Sequence, residues 1–407
     1  MQSTYDILII GGGMVGASLA AAIANCGYKI GIIEAFPASA DSQPSYDDRV
    51  IALAHGSKRI LDGIGLWQAI RPQAEAIRQV HISDRGHFGF TRIDHKEEGV
   101  EALGYVVTAR TLGQALTQRL EAEPNIDLIC PARLQALETE ANQVTATIDC
   151  DGKTKVLKAR LLVGADGGNS LVRKLLEIPT EERPYGQTGI IANITPSKAG
   201  AGVAYERFTD SGPLAMLPMT EGRYSLVWTV RDSQADEIMA LDDEAFLKHL
   251  QQRFGNRLGR LTHASRRVAY PFKRIIAKEQ IRPRVALIGN AVHSVHPVTG
   301  QGYNLGIRDV ATLAEVLADT SKAKGDPGGI TALQRYADWR QPDHETVASL
   351  TDTLARLFAN PWGPLAHTRN LGLIGLDLLP GIKHLVARQF MGLGGKLPRL
   401  ARGLPLA

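Results

Sequence analysis

Three glycines at a fixed spacing constrain this chain more than anything else in it. Gly11-x-Gly13-x-x-Gly16 lies between two uncharged apolar runs, Tyr5 to Ile10 after Asp6 is set aside, and Met14 to Asn25. The spacing predicts a buried strand, a tight turn and a helix, with Gly27 placed at the helix C-cap and a second strand over Lys29–Ile33. Gly11 permits the turn, Gly13 lets backbone meet a pyrophosphate, and Gly16 allows the helix to pack closely on the strand. The free N–H groups and positive dipole end of that helix suit phosphates. Glu34 ends the second strand eighteen residues beyond Gly16, where an acid accepts both hydroxyls of an adenosine ribose. An acid rather than an Arg there disfavours a 2′-phosphate, so the expectation is FAD or NAD rather than NADP.

The stretch from Ile7 to Cys26 carries no charge and could pass for a signal peptide or a membrane helix. Asp6 precedes it, no Lys or Arg occurs before Lys29, and four glycines interrupt it. The expectation is therefore no cleaved signal, no spanning helix and a cytoplasmic location. The 46 Lys+Arg against 42 Asp+Glu give a net charge of +4. That excess is too small to imply nucleic acid, though it suits an anionic cofactor or membrane surface. Cys26, Cys130 and Cys150 form no C-x-x-C pair, which leaves zinc, iron–sulfur and disulfide frameworks without ligands. His293-x-x-His296 stands beside Pro297 in an irregular stretch without a nearby acid, so no metal is expected.

Further along, the pattern changes twice. Alternating β-branched and aromatic residues from Ala76 to Val107, and strand-like runs between Pro184 and Phe272, read as an antiparallel sheet with one helix over Asp243–Phe254. The fold class expected is α/β: a Rossmann-like dinucleotide domain with an inserted, mostly antiparallel substrate domain and a helical tail. The cofactor domain is placed at residues 1–75, 108–180 and 273–355, the substrate domain at 76–107 and 181–272, and the tail at 356–407. The tail holds Arg369, Lys383, His384, Arg388, Lys396, Arg399 and Arg402 against one acid, Asp377. It reads either as helices packed on the body or as a basic amphipathic docking element.

Two further motifs carry chemistry. Gly164-Ala165-Asp166-Gly167, followed by Ser170 and Arg173, puts an acid in a glycine turn at the carboxyl edge of a buried strand. Taken alone it is an ordinary turn. Gly289-Asn290-Ala291-Val292-His293, then Pro297-Val298-Thr299-Gly300-Gln301-Gly302-Tyr303-Asn304-Leu305-Gly306 and Asp309, reads as strand, glycine loop and helix start. Free N–H groups at such a helix start suit an electron-rich ring edge.

The three motifs in this order resemble the FAD-dependent aromatic hydroxylases of the p-hydroxybenzoate hydroxylase fold, and among them the ubiquinone-biosynthesis hydroxylases. Asp48 to Leu53, Glu206-Arg207-Phe208-Thr209, Gly212 to Pro218 and Phe358-Ala359-Asn360 are similar to the 2-polyprenyl-6-methoxyphenol hydroxylase branch. The resemblance implies that Gly11, Gly13, Gly16 and Glu34 hold the ADP half of a non-covalent FAD, with Arg49 and Arg110 on the cofactor. It implies that Asp166 and Gly167 serve FAD and NAD(P)H use, and that Pro297, Gly300, Gln301 and Gly302 lie against the flavin ring. Where the family usually has Asp on the ribityl chain this sequence has Asn290, which keeps an acceptor oxygen but not the charge.

The activity implied is hydroxylation of a polyprenylated methoxyphenol in ubiquinone synthesis through a flavin C4a-hydroperoxide. O2 would be the oxidant, and NAD(P)H or a carrier protein the reductant, since no second G-x-G-x-x-G is present. The implied partners are a polyprenyl phenol, the inner membrane surface and other ubiquinone-biosynthesis proteins. Leu214, Met216, Leu217 and Trp228 are candidate pocket residues, with core packing as the alternative for each. Arg223 falls where this fold can carry an Arg that steers flavin movement, a surface Arg being the alternative. Two other functions stay open: a related flavoprotein on another substrate, such as a prenyl reductase or soluble-aromatic hydroxylase, and a flavin-binding assembly subunit without turnover.

Overall fold

The computed structural model describes residues 3–37, 49–198, 200–359, 372, 375 and 377–406. Asp48 and Asn360 lie outside the described residues, as does Arg369 of the tail.

The opening motif folds as its spacing dictates. The strand Ser3–Ile10 is followed by the helix Met14–Ile23, a short turn of 3-10 helix, Gly27 at φ 78°, and the strand Ile30–Ile33. These two strands run parallel, and Lys153–Gly164 pairs parallel with Ser3–Ile10 on its other side. Val285–Leu287 and Ile126–Ile129 extend the parallel sheet at its two ends. An antiparallel hairpin turning at Asp151 and Gly152 hangs from Lys153–Gly164. Buried on both faces, the central strands are continuous apolar runs, as parallel sheets require. The 22-residue helix Gln301–Lys322 packs beside Met14–Ile23 on one face.

The second sheet has nine strands among the described residues and is antiparallel except where Val203–Thr209 meets Gln79–Asp84. A three-stranded sheet of Val50–Ala54, Gly104–Thr108 and Glu75–Ile77 joins the two layers. The expected domain seams at 75/76, 107/108, 180/181 and 272/273 fall within or at the end of the strands Glu75–Ile77, Gly104–Thr108, Thr180–Pro196 and Val268–Ala277. Strands passing through the seams tie the sheets together without flexible linkers. The expected tail boundary at 355/356 likewise falls inside the helix Ile330–Ala359.

The antiparallel sheet decides which side chains can meet a ligand. Side chains alternate between its faces with period two. Leu214, Met216, Leu226 and Trp228 point to the face covered by the helix Asp243–Phe254, packing with Phe246, Leu250 and Phe254. The pocket expectation is therefore corrected for Leu214, Met216 and Trp228, which are core. Leu217 points to the other face, toward Val50, Val80 and Met391. Trp228 is 2% exposed, with its ring 5.8 Å from that of Phe246. Trp228→Ala is expected to cost about 3–5 kcal/mol in urea unfolding, the range for emptying a large aromatic site in a core.

Candidate active site

The glycine turn is shaped by contacts no larger residue would allow. Gly11 has φ +102°, and a Cβ there would stand 2.6 Å from the Ala165 carbonyl oxygen. A Cβ at Gly16 would stand 2.0 Å from the Gly11 carbonyl oxygen, so the helix lies directly against the turn. Gly13 is the N-cap, leaving the first N–H groups of the helix at the carboxyl end of the strand. Glu34 is held in place by N–H donors, from Gly12 to Oε2 at 2.7 Å and from Phe36 to Oε1 at 2.9 Å. Each oxygen keeps a lone pair for a hydroxyl.

The second motif abuts the first, for Ala165 N–H donates to the Ile10 carbonyl at 2.8 Å. Asp166 Oδ2 accepts from the N–H groups of Leu171 and Val172, capping the short helix Leu171–Leu175, while Oδ1 is buried with no partner among the described residues. Gly167 takes φ +79° in open space, so the backbone conformation alone calls for glycine. Arg173, which is buried, ties the second motif to the third. Its guanidinium donates to Gly168 O at 2.6 Å and to Ala291 O at 2.8 Å. Asn290, next to that carbonyl, is exposed and has no side-chain hydrogen bond among the described residues.

The third motif is anchored by Asp309, fully buried on the helix Gln301–Lys322. One carboxylate oxygen accepts Gly289 N–H and His293 Nε2, both at 2.9 Å. The other accepts Arg340 Nε at 2.7 Å and His344 Nε2 at 2.6 Å. Burial alone would raise this carboxyl, but His344, Arg340 and His293 outweigh it and hold it well below the usual carboxylate range. Burial pushes His344 down to about 4, so at neutral pH it donates as a neutral ring. His293, Asp309 and His344 offer three atoms within 4.8 Å of one another. Arg340 already places a cation on that carboxylate, so the cluster reads as a hydrogen-bond hub. His296 goes elsewhere: it is buried between the Tyr185 and Phe272 rings, bonded to Gln187 Oε1 and Val298 N–H. The two histidines of His293-x-x-His296 thus share no site.

Gly300 caps the helix at φ +64°, and Gly302 faces open space. Pro297 is half-buried, and Gln301 is buried with its amide near Phe390 O. Asn304 clamps this helix start to the three-stranded sheet. Its oxygen accepts from Ala54 N–H and Ser57 Oγ, and its nitrogen donates to Ala52 O and Gly300 O. Arg49 lies over the Tyr270 ring at 5.1 Å, and its carbonyl accepts Ala109 N–H, which brings it beside Arg110 in the next helix. Arg223 pairs with Glu221 at 2.9 Å in a turn between strands.

Facing the third motif, the antiparallel sheet presents one row of side chains. Ile82, Glu206, Ala215, Val227 and Ile191 stand side by side in register. All five keep partial exposure, whereas Leu214, Met216 and Trp228 behind them do not. On the same face Phe208 packs with Val298 of the 297–302 loop and with Leu354 of the helix Ile330–Ala359. Glu206 is surrounded by protein on most sides while part of it still reaches solvent, and desolvation pushes its carboxyl up to about 7. The sequence offered one signal for it that went unused: an acid in phase with Ala204 and Phe208 along the strand.

The glycine cradle, the half-satisfied Asp166 and the capped helix start fit a dinucleotide flavin. Over residues 4–350 the chain matches the model of the family described as FAD binding domain. It belongs to that family. Ubiquinone hydroxylase UbiL of Rhodospirillum rubrum is 39% identical over 404 residues, covering 98% of this chain and 93% of the relative. The 3-demethoxyubiquinol 3-hydroxylase of Escherichia coli is 32% identical over 394 residues, covering 95% and 98%. The structure of p-nitrophenol 4-monooxygenase PnpA from Pseudomonas putida superposes with a TM-score of 0.82 at 17% identity, over 97% of this chain and all of that one. This member of the FAD-binding family is an FAD-dependent monooxygenase, as its sequence motifs implied. Within it, Asp309→Asn is expected to cost about 3–5 kcal/mol, because the buried Arg340 loses one of its two carboxylates and keeps only Asp343. Denaturant unfolding would measure that loss, and flavin absorbance after dialysis should show FAD released with it.

Proposed function

We propose that this monooxygenase hydroxylates a polyprenylated methoxyphenol in ubiquinone synthesis, with NAD(P)H or a carrier protein as reductant and O2 as oxidant. The observation that carries the reading is its likeness, over nearly the whole chain, to relatives named as ubiquinone hydroxylases. The apolar row around Glu206, facing the 297–302 loop, supports it by offering a face for an aromatic ring. On this reading Gly11, Gly13, Gly16 and Glu34 hold the ADP half of FAD, Asp166, Asn290, Arg49 and Arg110 the middle, and Pro297, Gly300, Gln301 and Gly302 the ring. Bound there, the flavin supplies oxygen activation; the chain positions the phenol and keeps water out. Cells lacking the protein should accumulate a polyprenyl phenol one oxygen short of the next ubiquinone intermediate. An unchanged quinone profile by mass spectrometry would overturn the substrate assignment.

The reading extends to location, at the cytoplasmic face of the inner membrane. Among the described residues no helix is long and apolar enough to cross a membrane. The helix Pro380–Phe390 docks through Lys383 to Glu97 at 2.8 Å, His384 to Glu98 at 2.9 Å, and buried Ala387 and Met391. Its outer side leaves Leu378, Leu379, Ile382 and Leu385 more than half exposed, and Phe88 is 96% exposed on the adjoining hairpin. Asp377 accepts Arg92 N–H there, joining the two segments. Several tail cations are tied to the body instead: Arg399 pairs with Glu315 and Asp319, and Lys396 lies over the Trp339 ring at 4.1 Å. The exposed Arg388 and Arg92 flank the apolar strip, a profile suited to an anionic bilayer. Each exposed leucine would contribute about 1–2 kcal/mol on entering the acyl boundary. Leu378→Asp with Leu385→Asp should therefore lower co-sedimentation with phosphatidylglycerol vesicles more than tenfold at unchanged FAD content, and equal binding would place the docking surface elsewhere.

A further inference from the structure

Glu206 stands where the cofactor loop and the antiparallel sheet face one another, and the framework around it leaves it unemployed. It makes no hydrogen bond or ion pair among the described residues, although every other member of its row is apolar. The neighbouring Tyr205 and Arg207 point to the opposite face, where they meet Phe254. A largely desolvated carboxylate without a protein partner, set in an apolar row, is free to accept a donor from a ligand on that face.

We propose that Glu206 is the base that accepts the substrate's phenolic proton. This rests on the phenol reading given above and names the residue that serves it. A ring lying against Ile82, Ala215 and Val227 would present its O–H to the carboxylate, with Phe208 and Val298 closing the side toward the loop. The O–H bond breaks, its electron pair stays on the ring oxygen, and a new O–H bond forms on Glu206. Nothing is oxidised in this step. The ring is left more electron-rich at its ortho and para carbons, which is what attack on an electrophilic oxygen requires.

His296, the histidine nearest this face, is poorly suited to the task. Both ring nitrogens of His296 are engaged, and burial pushes that ring down to about 4. The ionisable groups on the surrounding elements are Asp84 on the adjacent strand, Tyr185 and His296 beside the loop, Arg49 over Tyr270, and Asp352 on the helix Ile330–Ala359. None of them contributes to the position of Glu206, which desolvation alone sets near 7. A base in that range is half ionised at neutral pH, which suits proton transfer there. His81 is on the far face of the sheet, against Tyr205.

The test uses the FAD-loaded, oxidised protein and two probes, 2-prenyl-6-methoxyphenol with a single isoprene unit and its O-methyl ether, titrated by flavin difference absorbance. A carboxylate titrating near 7 is about one-tenth ionised at pH 6 and about nine-tenths at pH 8. The phenol should therefore bind about tenfold more tightly at pH 8 than at pH 6, and the ether equally at both. Glu206→Gln should remove that dependence and lower kcat by about a hundredfold or more while retaining FAD, and Glu206→Asp should keep the dependence. If the phenol and its ether show the same pH dependence, or if Glu206→Gln leaves it intact, Glu206 is not the base. If the wild-type protein binds neither probe at any pH, it is the phenol reading that fails, and the inference with it.

Discussion

One buried carboxylate holds the cofactor side of this protein together. Asp309 accepts four donors from three segments: Gly289 N–H at the end of a parallel strand, His293 in the loop beyond it, and Arg340 and His344 on the helix Ile330–Ala359. It gives the strand end, the glycine loop and that long helix a common reference, and Tyr336 O–H, donating to Leu287 O at 3.1 Å, adds a second tie between helix and strand. The long helix also packs against the antiparallel sheet, so the position of the sheet relative to the third motif depends on the same carboxylate. A buried network of this kind favours one arrangement, since the charges it holds are costly to separate in a low dielectric.

Around that anchor, the site follows a division of labour between rigid backbone and a few side chains. Glycines at positions 11 and 16 let the helix and strand touch, Arg173 joins the second and third motifs through carbonyls, and Asn304 locks the helix start to the three-stranded sheet. Each contact is made by a group with no remaining freedom, which is how a framework can hold a cofactor without being reshaped by it. Glu206 is the exception, an enclosed acid outside every structural network, and it lies on the face where a substrate would bind.

The antiparallel sheet shows where one-dimensional reading stops. Strand alternation says that Leu214 and Met216 share a face and that Ala215 and Leu217 share the other. It does not say which face receives the helix Asp243–Phe254. The more apolar face, where Leu214, Met216 and Trp228 stood open between pocket and core, is the core, because apolar surface is buried most effectively against another element of the same protein. The tail cations were undecided for a related reason. Of the two readings open for the tail, packed helices or a basic docking element, Lys383, Lys396 and Arg399 follow the first, since folding brings Glu97, Trp339, Glu315 and Asp319 beside them.

The sequence by itself determined the parts of this protein that are local. The strand, turn and helix around Gly11, Gly13 and Gly16, the acid at Glu34, and the glycine turn at Asp166 and Gly167 follow from neighbours a few residues apart and from backbone sterics, which composition and spacing express directly. Only the tertiary structure decided that Asp309 gathers His293, Arg340 and His344, that His293 and His296 part company, and that Glu206 stands alone opposite the loop carrying Val298. Those relations join residues from 16 to 109 positions apart. They are set by how sheets and helices pack in three dimensions, and a burial-driven pKa such as that of Glu206 exists only once the packing has excluded water.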